Sequence, residues 1–353
     1  MKLNEYGVTD TQPIVKGLDL ARVIATSHLQ YTIVTDQGQF QAQVSGRLAN
    51  MAIAPEDFPT VGDWVQVRLP GNSSDLAIIE RFNERQSVFL RKAAGRRSDA
   101  QLVAANVDWV LLTTALDANF NLRRLERYLA VAASSGAQAA IVLTKADKAN
   151  DLPAQLAEVK QIVKDTPVLV CDATQPDGLT ALAEFMQPGL SYAFLGSSGV
   201  GKSTLINHLL GSDKIATQAV RNSDAHGRHT TTSRQLIKLP NGSLVIDTPG
   251  MRELGLVDAD VDATFDDIKE LAKNCRFKDC THQNEPGCAV QAAISAGTLS
   301  SDRLANYQRL LAEQDRNTDL RGKARENAKI NRMFGGKKQM KAFRKEVQQR
   351  KHR

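Results

Sequence analysis

No apolar run in this 353-residue chain reaches the ~18 residues that a membrane-spanning helix needs. The opening Met1-Lys2-Leu3-Asn4-Glu5 lacks the apolar core of a secretory signal, so a cytoplasmic protein that makes no membrane contact is expected. Cysteine is scarce. Of the four, Cys275, Cys280 and Cys288 lie close together, with His282 among them, and Cys171 stands apart. In a reducing compartment such a cluster points to metal ligation before disulfides. Compositional extremes are missing as well: 42% apolar and 24% charged residues are ordinary for a globular chain of two or three domains.

Charge is unevenly spread. Residues 317–353 carry 13 Lys or Arg against 3 Asp or Glu, so this tail holds +10 while the rest of the chain is near −4. A tail of that sign suits a polyanion, most simply nucleic acid, or serves only to solubilise.

The most informative stretch is Gly196-Ser197-Ser198-Gly199-Val200-Gly201-Lys202-Ser203-Thr204, which meets every fixed position of G-x-x-x-x-G-K-[ST]. Tyr192–Leu195 before it reads as a buried strand. After it, Leu205, Ile206, Leu209 and Leu210 form the apolar side of a helix stopped by Gly211. Glycines let backbone N–H groups converge on phosphate oxygens, and the helix start adds partial positive charge. Lys202 suits the β- and γ-phosphates and Ser203 suits Mg²⁺.

Residues 1–17 show little pattern and read as an arm. Short β-rich runs follow at 22–26, 31–35, 40–44, 63–69 and 76–82, and predict a five-stranded barrel over 18–90, most simply an OB-fold. Residues 91–106, with Arg91, Lys92, Arg96 and Arg97, read as a linker. From Val107 strands alternate with helices, which predicts an α/β domain with a parallel sheet over 107–257.

Within it, Thr144-Lys145-Ala146-Asp147 follows a buried strand and resembles the guanine-recognition motif [NT]-K-x-D. The Asp147 carboxylate suits guanine N1–H and N2–H₂, an arrangement that adenine lacks. Asp172 and Ala173, past the next strand, are candidates to offer N–H to guanine O6. The polar stretch 212–233 is long for a compact domain and reads as switch I, where Thr231 or Thr232 would complete the Mg²⁺ shell. Asp247-Thr248-Pro249-Gly250 fits D-x-x-G: Asp247 suits water-mediated Mg²⁺ binding and the Gly250 N–H suits the γ-phosphate. Met251 stands where Ras-like enzymes keep the glutamine that orients water, and His229 is the local alternative, or else a surface histidine. The base motif precedes the phosphate loop, so the motif order is G4-G5-G1-G2-G3, which reads as a circular permutation.

Residues 258–316 are expected to form a small helical domain, with helices near 263–273, 289–296 and 301–314. Cys275, Cys280, His282 and Cys288, spaced C-x₄-C-x-H-x₅-C, suit one closed structural Zn²⁺ site.

The permuted motifs, the barrel before them and the zinc spacing together resemble the ribosome small-subunit-dependent GTPases, the RsgA or YjeQ family, over residues 18–310. The resemblance implies a GTPase stimulated by the small ribosomal subunit and its rRNA. It implies action late in that subunit's maturation and release of ribosome-binding factor A; a monomer is expected. It also implies a catalytic switch I histidine, matched by His229, in place of the missing glutamine. Threonine at 144 replaces the asparagine of many members. The rivals are a non-enzymatic RNA-binding assembly factor that only binds nucleotide, and an ATP-driven enzyme, against which Asp147 argues.

Overall fold

The computed structural model describes residues 2–9, 12–27, 30–71, 75–92, 100–163, 165–211, 234–247 and 260–334. The short β-rich runs make the N-terminal strands: β1 (Asp19–Ser27), β2 (Gln30–Thr35) and β3 (Gly38–Val44). A helical turn α1 (Gly46–Met51), capped by the Ser45 hydroxyl on the Leu48 N–H, leads to β4 (Trp64–Arg68) and β5 (Ala77–Phe82). They pair in the order β1-β2-β3-β5-β4, and β4 closes back on β1, with β3–β5 the one parallel pair among them. This is the expected five-stranded OB-like barrel. Its interior is Ala21, Val23, Tyr31, Ile33, Ala42, Val65, Val67, Ala77 and Ile79.

The stretch read as a linker contains paired structure. Strand β6 (Val88–Lys92) and β7 (Ala100–Ala105) form an antiparallel two-stranded sheet. Phe89, Leu102, Val103, Ala104 and Ala105 are buried there, so apolar side chains on both strands stabilise a hairpin that the basic run between them obscures in the sequence.

The α/β unit follows as β8 (Trp109–Ala115), α2 (Leu122–Ser135), β9 (Gln138–Thr144), α3 (Leu152–Ile162), β10 (Val168–Val170), α4 (Thr180–Phe185), β11 (Ser191–Leu195), α5 (Lys202–Leu210), β12 (Arg234–Lys238) and β13 (Leu244–Asp247). Asn121 and Asp151 cap α2 and α3 through their side chains, and Gly136 ends α2 at φ 83°. The sheet runs β10-β9-β8-β11-β13-β12, parallel throughout except for β12. Separate apolar clusters fill its two faces.

Two features lock the barrel to this unit. Strand β12 pairs antiparallel with β1 (Ala25 with Gln235, Thr26 with Arg234), so barrel and α/β sheet form one eleven-stranded sheet. And Arg22, on β1, is 2% exposed. Its guanidinium stacks on Trp64 at 5.0 Å and donates to Tyr6 O, to Asn106 O at 3.0 Å and to Ser191 Oγ at 3.3 Å, at the start of β11. Burial lowers its pKa to about 10, which leaves it charged at neutral pH.

The C-terminal helices are α6 (Val261–Thr264), α7 (Asp266–Ala272), α8 (Ala289–Ser295) and α9 (Ser301–Phe334). The continuous helix expected over 263–273 is broken at Phe265, whose φ −115° and ψ 41° leave the helical region. Its fully buried ring packs on Tyr307 at 5.4 Å and under the Arg303 guanidinium at 4.7 Å, and this packing outweighs helical continuity. The last helix runs well past the expected Gln314, because no proline interrupts it before Gly335-Gly336. Among the described residues no helix is long and apolar enough to cross a membrane.

Candidate functional site

The phosphate loop connects the C-terminal end of β11 to α5, the position at which open parallel sheets bind ligands. Its glycines are required by geometry. A Cβ on Gly196 would lie 2.3 Å from the Thr113 carbonyl oxygen of β8, and Gly201 heads α5 at φ 98°. The Lys202 ammonium lies within the loop and donates to Gly196 O at 2.5 Å and Ser197 O at 2.6 Å. Ser203 and Thr204 stand on the first turn of α5, half-buried, while Ser198 and Gly199 are exposed and Val200 is buried.

The base motif lies at the end of β9, two strands from β11. Thr144, 3% exposed, donates its hydroxyl to the Val200 carbonyl at 2.6 Å, which ties this turn to the phosphate loop. A threonine hydroxyl therefore supplies the loop-to-loop anchor. Thr144→Val keeps the shape and leaves the Val200 carbonyl unpaired. We expect it to cost about 1–2 kcal/mol, read as a lower urea midpoint with an unchanged m value.

Lys145 adopts the left-handed conformation at φ 55°, uncommon outside glycine and frequent at ligand sites. Its ammonium pairs with Asp117 Oδ2 at 2.8 Å and holds that carboxyl below its ordinary range. Asp147 follows in a short 3-10 turn with its side chain exposed. Beside this turn, the Ala146 N–H reaches Cys171 O at the end of β10. In the next turn the Asp172 N–H is donated to Gly178 O at 3.0 Å, and the Asp172 carboxylate accepts from the Thr174 N–H and hydroxyl. Ala173 stands at the head of that turn.

Asp247 ends β13 beside β11 by its backbone. His229, Thr231, Thr232, Gly250 and Met251 lie outside the described residues, as does the tail beyond residue 334.

Sequence reasoning did not anticipate the surroundings of Ser197. Its hydroxyl takes part in a 3.0 Å bond from Arg124 Nη1 and a 3.0 Å bond with Tyr128 OH, both on α2. It also missed Asp117. These partners lie far upstream, where no local pattern marks them.

The second site is the cysteine cluster. Cys275, Cys280, His282 and Cys288 offer four ligand atoms that all lie within 4.8 Å of one another. Cys275 Sγ is 3.9 Å from Cys288 Sγ, and His282 Nδ1 is 3.7 and 3.5 Å from these sulfurs. Tetrahedral Zn²⁺ with ~2.3 Å bonds to sulfur and ~2.0 Å bonds to nitrogen requires edges of about 3.5–3.8 Å, so the donor set fits one zinc ion. The local backbone is built for it. His282 sits at φ 61°, and its carbonyl accepts from Gln291 Nε2 at 2.6 Å. Glu285 gathers the N–H groups of Thr281, Gln283 and Asn284 and the Thr281 hydroxyl, which pulls its pKa down to about 2. Cys288 also caps α8.

Comparison with known proteins agrees with this geometry. A family model described as RsgA GTPase matches residues 82–257. The chain is 48% identical to small ribosomal subunit biogenesis GTPase RsgA 2 of Lactiplantibacillus plantarum, over 100% of this chain and 99% of that one. It is 45% identical to small ribosomal subunit biogenesis GTPase RsgA of Opitutus terrae, over 86% of each chain. The fold resembles the crystal structure of YjeQ from Thermotoga maritima, with a TM-score of 0.59 at 24% identity over 84% of this chain and 98% of that chain. It likewise resembles YloQ, a circularly permuted GTPase, with a TM-score of 0.59 at 22% identity over 88% and 99%.

Proposed function

The chain belongs to the RsgA GTPase family, and from that premise we propose that it hydrolyses GTP on the small ribosomal subunit during that subunit's maturation. The observation that carries the reading is the 2.6 Å bond from Thr144 to the Val200 carbonyl. It joins a guanine-type turn to a phosphate loop whose strand and helix follow that turn in the chain.

Gly196–Thr204 would hold the phosphates, with Lys202 on their β- and γ-oxygens. Mg²⁺ would be held by Ser203, Asp247 and Thr231. Thr144–Asp147, with the Asp172–Ala173 turn, would read guanine, Asp147 by its carboxylate and Lys145 by its stem against the base. The Gly250 N–H would sense the γ-phosphate, and His229 would orient the attacking water. The metal supplies charge neutralisation between the phosphates; the chain's own residues fix the base, grip the phosphates and exclude misplaced water.

The chain would work as an arm (1–17), a barrel (18–90), a connecting stretch (91–106), the GTPase unit (107–257), a zinc-holding helical unit (258–316) and a basic tail (317–353). Barrel, zinc unit and tail would contact rRNA. A monomer in the cytoplasm would bind the subunit in its GTP state, help release ribosome-binding factor A, and leave after hydrolysis. The basic tail and the connection from Asp247 into the helical unit support this order of events.

Turnover with and without purified small subunits tests the reading. We expect subunits to raise GTP turnover of the wild type. His229→Ala should lower the stimulated rate by about 10²-fold with GTP affinity kept. No stimulation would favour a nucleotide-binding assembly factor without enzymatic turnover.

A further inference from the structure

Helix α2 touches both the phosphate loop and the last helix, α9. Arg124 and Tyr128, one turn apart on one stripe, hold the Ser197 hydroxyl at 3.0 Å each. The carbonyl of the same Ser197 accepts the Lys202 ammonium at 2.6 Å. Ser197 is thus the residue through which α2 grips the phosphate loop.

The neighbouring stripes of α2 face the C-terminal helices. Arg127 pairs with Glu313 of α9 through two bonds of 2.7 and 2.6 Å. Arg123 pairs with Asp302 at 2.8 Å. Between them Glu126, 3% exposed, accepts from Arg303 and from Asn306, both on α9. Arg303 in turn is bound by Asp267 of α7 at 2.7 and 2.9 Å. Burial raises the Glu126 carboxyl against the pull of Arg303, so this carboxylate depends on the cation and the amide that face it. Residues 123–128 therefore alternate between the phosphate loop and α9, set at the ~100° per residue turn of a helix.

We propose that Arg124 and Tyr128 are positioning residues for the phosphate loop, and that the seat of α9 on α2 sets their aim. This rests on the reading of the loop as the GTP site. A partner that lifts α9 from α2 turns or loosens the helix, frees Ser197 and speeds release of the bound guanine nucleotide. The route is separate from the γ-phosphate loops, because it runs through the helix that precedes the base motif.

The test follows release of a fluorescent GDP from the full-length, zinc-loaded protein. Tyr128→Phe keeps the ring and loses only the hydroxyl, and Arg124→Ala removes the charged donor; each should release GDP about tenfold faster, the worth of one good hydrogen bond. Arg127→Ala, in a pair about a quarter exposed, should accelerate release about threefold. Adding Arg127→Ala to the Arg124→Ala/Tyr128→Phe variant should give no further acceleration, since both bonds by which α2 reaches Ser197 are then already gone. Arg127→Glu combined with Glu313→Arg should restore the wild-type rate. A further acceleration by Arg127→Ala in the Arg124→Ala/Tyr128→Phe background would overturn the proposal. So would a thermal midpoint that falls with Arg127→Ala and recovers in the swapped pair while release stays at the wild-type rate. A wild-type protein that holds no guanine nucleotide would instead overturn the reading of the site itself, and the proposal with it.

Discussion

Asp147→Asn is expected to weaken GTP binding by about 10⁴-fold and to create affinity for a xanthine nucleotide. The carboxylate of Asp147 offers two acceptor oxygens to guanine N1–H and N2–H₂. The amide of asparagine sets an N–H₂ against the guanine N2–H₂, so donor meets donor and neither is paired. Xanthine carries a carbonyl at that carbon and accepts from the new amide. The side chain at 147 is exposed on a short turn, so the change should leave the fold intact. Competition of labelled GTP by GTP, XTP and ATP measures the effect. Unchanged guanine preference would place the base elsewhere.

Stripping zinc should have the other large effect. Apparent binding energies of structural zinc sites are about 10–16 kcal/mol, comparable with the whole stability of a domain. Without the ion three thiols and an imidazole are left close together with little to hold them, since Cys275 and Cys280 are only partly covered. Chelation, or Cys280→Ser, should therefore open the 275–288 loop to protease while β8–β13 stay protected. Elemental analysis should find one zinc per chain before treatment and none after. An unchanged cleavage pattern in the metal-free protein would falsify the structural role.

Much of the site was legible because its residues act through local pattern. The phosphate loop needs glycines and a lysine at fixed spacing between a strand and a helix, and Gly196 against Thr113 shows the steric reason. The barrel strands were legible as five short β-rich runs set close together. The β6–β7 hairpin was not, because its two halves are separated by a basic, glycine-containing run that carries no turn signature of its own. The break at Phe265 was hidden because apolar spacing continues smoothly across it; only the tertiary pocket of Tyr307 and Arg303 decides it. Arg124, Tyr128 and Asp117 escaped for a related reason: each meets its partner across long stretches of chain, and a single sequence does not record such meetings.

The sharing of β1 between two neighbours bears on how the chain is made. Residues 19–22 of β1 pair with β4, which closes the barrel from nearby sequence, while residues 25–26 on the same edge wait for β12. At ribosomal synthesis rates, Arg234 emerges ~10–40 s after Thr26. The barrel can close early, but it then carries a short unpaired edge that only the distant strand satisfies. Keeping that edge to two register pairs limits the template it offers to other nascent chains. The completed eleven-stranded sheet is thus a late checkpoint in folding: it forms only once the phosphate loop and residues 212–233 after it have been synthesised.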